Sequence, residues 1–234
     1  MKRITLGLCI LVVIFFSGCT FGKSMIANKV VTQIDWTNFI MFNGITYEAG
    51  YNRDSSLDDS YLYEVYAKVT FKVAENVTDP HYKTKNGDAA FLEKGTTIYK
   101  VKGYNPNFRL AAYEQGKIVI YEVSRNPSAV TGKDILDIKD KVKYISIKSQ
   151  TDGKTELGRI EDRKLVDKLV NMVLETQLKN INSGDGQRYF ISFQLNDGTD
   201  VTRAYWIDTG VMSLNMKLPA EFGEGINKAL EKNN

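Results

Sequence analysis

Tyr61-Leu62-Tyr63-Glu64-Val65-Tyr66-Ala67-Lys68-Val69-Thr70-Phe71-Lys72-Val73 carries the strongest strand signal in the chain. Tyr61, Tyr63, Val65, Ala67, Val69, Phe71 and Val73 alternate with Leu62, Glu64, Tyr66, Lys68, Thr70 and Lys72. Successive side chains of a strand point to opposite faces, so this period of two predicts a strand with its odd positions buried and Tyr66 on the other side. Working outward, Trp36–Tyr47, Thr97–Lys102, Phe108–Tyr113 and Ile118–Val123 also read as strands. Asn43-Gly44, Asn86-Gly87 and Gln115-Gly116 supply residues that accept the positive φ of tight hairpins. Residues 35–125 are therefore expected to form an antiparallel β domain, either a small barrel or a sandwich.

Asn126-Pro127-Ser128 through Thr131-Gly132 breaks the pattern, and residues 126–139 are expected to link two domains, with a short helical turn over Asp134–Ile138. Beyond it, Val142–Lys148 and Leu157–Ile160 read as strands around the turn Thr151–Lys154. Asp162 stands where an N-cap belongs, and Leu165, Val166, Leu169, Val170 and Val173 follow at helical spacing, which predicts a helix to about Leu178. Tyr189–Leu195 and Val201–Ile207 flank Asn196-Asp197-Gly198, a strong hairpin signal. Met212, Leu214, Met216 and Leu218 predict one more strand. Pro219 opens a closing helix with Phe222, Ile226 and Leu230 on one face, which Gly223 and Gly225 weaken by about 1 kcal/mol each. The expected fold class is α+β and β-rich: an N-terminal antiparallel β module, then a β-β-α-β-β-β-α module over residues 140–234 with its helices on one face of an antiparallel sheet.

The N-terminus has a different character. Lys2 and Arg3 precede the apolar run Leu6–Phe16, and Phe16-Ser17-Gly18-Cys19 closes it. The run is short of the roughly 20 apolar residues that a spanning helix needs, so residues 1–18 read as a secretory signal. An ordinary secretory peptide cut elsewhere, leaving Cys19 a free thiol, and an uncleaved anchor are the alternatives. The polar turn at Thr20–Ser24 argues against the anchor. The small-small-Cys ending resembles the lipobox of bacterial lipoproteins, with Phe16 where that motif usually has Leu. The whole arrangement resembles, more loosely, uncharacterised lipoproteins of Gram-positive spore-forming bacteria. The resemblance implies cleavage between Gly18 and Cys19, a diacylglycerol on the Cys19 sulfur, acylation of its new amino group in many members, and residues 19–34 as a tether. A lipid-anchored place on the extracytoplasmic face of the cell membrane follows, because two acyl chains hold a protein where one is marginal. Cys9 leaves with the signal, so the mature domain has no disulfide and rests on packing alone.

Catalytic constellations are sparse. The chain has 31 Lys+Arg and 28 Asp+Glu, and removing Lys2 and Arg3 brings it near balance, which gives no footprint for nucleic acid. His81 is the lone histidine, no Gly-x-Ser-x-Gly elbow or Ser-x-x-Lys is present, and zinc has no ligand set. Gly22-Lys23-Ser24 lacks the earlier glycine of a phosphate loop. Asp54, Asp58 and Asp59, and separately Asn196–Asp200, have oxygen ligands but no EF-hand spacing, and a polar loop and a hairpin turn explain them. No catalytic residue, cofactor or metal is therefore expected. Tyr66, Tyr104 and Phe108 are the candidate binding surface, since exposed aromatics stack on sugars or anchor a protein. The leading expectation is a non-enzymatic binding or accessory role at the envelope, the partner being an envelope protein or a cell-wall polymer. The alternative is a membrane-tethered hydrolase of cell-wall material, which needs two carboxylates about 5–10 Å apart. A solute-binding lipoprotein of a transporter is disfavoured, because the chain has too few helices for alternating β/α lobes.

Overall fold

The computed structural model describes residues 34–50, 57–181 and 185–232. Its first sheet is built from Phe39–Phe42 (β1), Ile45–Ala49 (β2), Leu62–Lys68 (β3), Phe71–Lys72 (β4), Asp88–Ala89 (β5), Thr97–Val101 (β6), Arg109–Glu114 (β7) and Lys117–Arg125 (β8). The strand order is β3-β6-β7-β8-β2-β1-β5-β4. The two ends of this order are consecutive in the chain, separated by Val69 and Thr70. The Val69 amide donates to the Thr96 carbonyl and the Thr70 amide to that of Gly87. One kinked strand thus pairs with β6 through its first part and with β5 through its last, and the sheet closes on itself as a small barrel without long free edges.

That kink corrects the simple alternation expected of Tyr61–Val73. The β3–β6 register slips between Leu62 and Glu64 and again between Val65 and Ala67, inserting Tyr63 and Tyr66 as extra residues. Each bulge switches the face that follows it. Tyr63 and Val65, expected inside, are 57 % and 54 % exposed, and Phe71 is also exposed, whereas Val69 and Val73 are buried.

The second sheet contains Val142–Lys148 (β9), Glu156–Ile160 (β10), Arg188–Leu195 (β11), Asp200–Trp206 (β12), Val211–Met212 (β13) and Met216–Lys217 (β14), in the order β10-β9-β11-β12-β13-β14. Arg163–Glu175 (α1) and Ala220–Glu231 (α2) pack on β9 and β10. The fold class is α+β and β-rich. Asp162 caps α1 by accepting from the Leu165 amide at 2.8 Å, a contact worth about 1 kcal/mol. Val166, Leu169, Val170, Val173 and Leu174 form its buried face.

Two boundaries differ from expectation. The helix stops at Glu175 rather than Leu178, because the Thr176 hydroxyl turns back to the Met172 carbonyl and the Leu178 amide donates to the Val130 carbonyl. Met212–Leu218 is not one strand but a hairpin. Leu214 and Asn215 both adopt positive φ (68° and 64°), and Met212 pairs with Met216. Gly225 has a packing role in α2: a Cβ there would lie 3.2 Å from Leu169 of α1.

Residues 126–139, expected as a linker, carry the 3-10 turn Gly132–Asp134 and bury Ile135, Leu136 and Ile138 in a hydrophobic cluster shared by both sheets. The described residues form one compact unit. Gly132 donates to the Thr176 carbonyl, and a Cβ on it would fall 2.0 Å from the Val173 carbonyl oxygen. Gly132→Ala should therefore cost about 2–3 kcal/mol in urea denaturation of the full chain followed by tryptophan fluorescence. Val130→Ser, at a position 63 % exposed, should stay within about 0.5 kcal/mol of wild type. Equal midpoints for the two variants would contradict this packing.

Candidate functional site

A charged residue inside an apolar strand must find a partner or be expelled. Arg109 opens β7, and Glu122 interrupts the apolar run of β8. The two are register partners on the barrel's outer face, and Glu48 of β2 is the register partner of Glu122 on its other side. Arg109 is fully buried. Its Nη2 donates to Glu122 Oε1 at 2.7 Å and its Nη1 to Thr199 Oγ1 at 2.9 Å. Its guanidinium lies 4.5 Å from the Tyr104 ring centroid and 4.7 Å from that of Phe108. Arg203 arrives from β12 and donates through Nη1 to Glu122 Oε2 and to the Thr202 carbonyl, both at 2.9 Å. Both oxygens of Glu122 are thus held by guanidinium groups of two different sheets.

The hairpin between β11 and β12 completes the cluster. Thr199 Oγ1 donates to Asp197 Oδ1 at 2.7 Å while accepting from Arg109, and the Tyr104 hydroxyl donates to Asp197 Oδ2 at 2.6 Å. Burial, reinforced by Asp197, pushes the Tyr104 hydroxyl well above the ordinary phenol range, so it stays a donor. Burial acts to raise the Asp197 carboxyl, but the Tyr104 and Thr199 hydrogen bonds and the Arg109 charge outweigh it and hold Asp197 below the ordinary carboxylate range. Two guanidinium groups therefore meet two carboxylates.

Beside this cluster a cleft of about 180 Å³ opens between the sheets, and Glu48, Glu122, Ser124, Thr202, Arg203 and Ser213 supply its polar lining. A larger hollow of about 350 Å³ beyond the C-terminus of α1 is lined by Glu175, Gln177, Lys179 and Lys217. It lacks the buried convergent donors and acceptors that mark a recognition site, so the smaller cleft is the better candidate.

The three aromatic candidates do not make one surface. Phe108 is 2 % exposed, so it is a wall of the Arg109 cage and presents nothing to a partner. Tyr104 joins it in that cage and has Lys141 over its ring at 4.8 Å. Tyr66 lies apart, half-buried at a bulge, edge-on to Phe42 and accepting from Asn43 Nδ2 at 2.7 Å. The acidic candidates are also committed. Asp58 caps a short turn at Ser60, Asp59 accepts from the Tyr113 hydroxyl, and Asp200 accepts from Ser192 and Thr202 at 2.7 Å. Among the described residues no group of three or more His, Cys, Asp or Glu is placed to hold a metal ion. His81 is exposed and its ring lies beside the Asp79 carboxylate. Gly18, Cys19 and Asp54 lie outside the described residues.

Glu48, Glu122 and Arg203 were not singled out as site residues from sequence. The available signal was a charge embedded in each of two strongly apolar strands, Ile118–Val123 and Val201–Ile207.

Removing one partner from a buried ionic cluster leaves uncompensated charge. Glu122→Gln should lower stability by about 3–5 kcal/mol in urea denaturation, whereas Glu64→Gln, breaking the more exposed Lys100 pair, should cost at most about 1 kcal/mol. The acid limb follows from Asp197. Its folded value is depressed, so the unfolded chain takes up this proton first as pH falls. The stabilisation is complete above the ordinary aspartate value of about 3.9 and is lost as pH drops through the lower folded value. Asp197→Asn should flatten the stability profile below about pH 4, and an unchanged acid limb would remove this assignment.

No protein-family model, curated protein or solved structure matches the chain.

Proposed function

We propose that the mature chain is a lipid-anchored extracytoplasmic binding protein whose inter-sheet cleft recognises an envelope component without transforming it. The location is supported by Phe16-Ser17-Gly18-Cys19 behind a short apolar run and a basic start. Among the described residues no helix is long and apolar enough to span a bilayer; the attachment in this reading is through Cys19. The observation that carries binding over catalysis is the state of Glu122, whose two oxygens are both occupied by arginines while the residue is 6 % exposed.

A second reading has one specific observation behind it. Glu48 and Glu122 are register partners that line the same cleft, and directly opposed residues have Cβ atoms about 4.5–5.5 Å apart. That sets two carboxylate side chains side by side in one cleft, the kind of pair a tethered hydrolase requires. Hydrolysis needs both of them, one to attack or activate water and the other to protonate the leaving oxygen, and the double arginine clamp keeps Glu122 from either role.

Cys19→Ala should shift the protein from the membrane fraction to the medium, or leave the unprocessed precursor; unchanged processing and detergent partitioning would remove the anchor. The hydrolase is tested by release of reducing ends from purified cell-wall glycan. The binding reading expects none from wild type, and release that Glu48→Gln abolishes would establish the enzyme instead.

A further inference from the structure

The barrel carries a second, smaller hydrophobic cluster on its outer face. Along β1 and β5, Ile40 and Ala89 turn into the main core, whereas their neighbours Phe39 and Ala90 meet Val73 on the other side of the sheet. Trp36, Met41, Val77 and Tyr82 pack over these three and stay half-buried. Four rings run in a chain: Trp36 lies 6.0 Å from Phe39 and 6.4 Å from Tyr82, and Phe71, 36 % exposed, lies 6.3 Å from Tyr82. Single exposed apolar residues are ordinary, but a contiguous aromatic patch left in water marks an interaction surface.

The polar groups around the rings are already committed. The Tyr82 hydroxyl donates inward to Asp88 Oδ2 at 2.8 Å, the Asn76 side-chain amide donates to the Lys72 carbonyl at 3.0 Å, and Lys72 pairs with Glu75 and Glu93. A sugar stacked here would find little to bond its hydroxyls, and specific recognition of a polar ligand needs a few placed polar groups. Charge is balanced too: exposed Lys83 and Lys85 are matched by exposed Asp35 and Asp79. Ring surface with a polar rim fits the headgroup level of a bilayer, where Trp and Tyr are enriched. The position of the patch in the chain favours the same occupant. The described chain starts at Ile34, two residues before Trp36, and 14 residues, 20–33, separate Ile34 from Cys19. Their reach is at most about 50 Å. An acylated Cys19 holds the domain at the surface at an effective concentration near the millimolar range, so a weak apolar contact is enough.

We propose that the patch of Trp36, Phe71 and Tyr82 rests on the lipid bilayer that holds the anchor, its rings at the level of the headgroups. This rests on the reading of Cys19 as acylated. The test uses the full processed chain in phosphatidylcholine vesicles with and without brominated acyl chains, which quench tryptophan on contact. The chain has two tryptophans, so Trp206→Phe reports Trp36 alone and Trp36→Phe reports Trp206 alone. Bromination should quench Trp36 at least twofold and leave Trp206 unchanged. Adding Phe71→Ser to Trp206→Phe should remove most of that quenching, with the wild-type melting temperature and with the protein still in the vesicle pellet. Tyr63→Ser, at a ring 57 % exposed near the start of β3, should leave the quenching intact. Pelleted protein whose Trp36 is not quenched, or is released equally by Tyr63→Ser, overturns the docking and leaves the anchor. Trp36 emission that answers instead to added cell-wall glycan or to protein concentration, without quenching by brominated lipid, gives the patch to a glycan or to a second copy and overturns it as well. Protein that fails to pellet with vesicles, together with unchanged processing of Cys19→Ala, removes the anchor and the docking together.

Discussion

A buried guanidinium set against two aromatic rings, Arg109, is the polar contact that ties the barrel to the second sheet. Arg109 reaches Glu122 within the barrel and Thr199 on the hairpin of the second sheet, and Arg203 of that sheet reaches back to Glu122. Buried ion pairs are weak contributors to stability compared with apolar residues of the same volume. Their value here is geometric. Apolar side chains such as Phe108, Leu136 and Ile138 tolerate many orientations, whereas four charged groups in a largely buried contact are satisfied only when the β11–β12 hairpin meets the turn before β7 in one register.

That contact also explains which parts of the fold could be read from sequence. In the second half the two helices have one covered face each, and several elements carry their own punctuation. Asp162 caps α1, Asn196-Asp197-Gly198 turns the hairpin and Pro219 precedes α2, so periods of 2 and 3.6 pass directly into structure. The barrel was harder to read, because closure bends its strands. Tyr63 and Tyr66 enter as bulged residues, and the alternation that promised one buried face changes sides twice along β3. Leu214-Asn215 misled for a related reason. Both take positive φ inside an alternating run, a conformation that leucine rarely adopts and that no composition rule would place there.

The site was less legible than the fold. Tyr104 and Phe108 were flagged for their chemistry and do act together, but inward, around a cation rather than toward a ligand. The useful residues were charges inside apolar strands, and their meaning depends on pairing across 81 positions, from Glu122 to Arg203. Nothing local in either strand names the other. Cys19 is the reverse case: a short motif readable in one line of sequence, whose consequence is chemical attachment rather than packing.

Arg203 connects these two levels. Its Nη1 is fixed by the contact that sets the inter-sheet register, and a planar guanidinium so fixed holds its opposite edge in a defined direction. The unpaired edge is also a standing cost to the folded chain. An alanine or methionine at 203 would avoid the orphaned donors but surrender the lock on Glu122. The residue makes physical sense where one guanidinium must hold the two sheets in register.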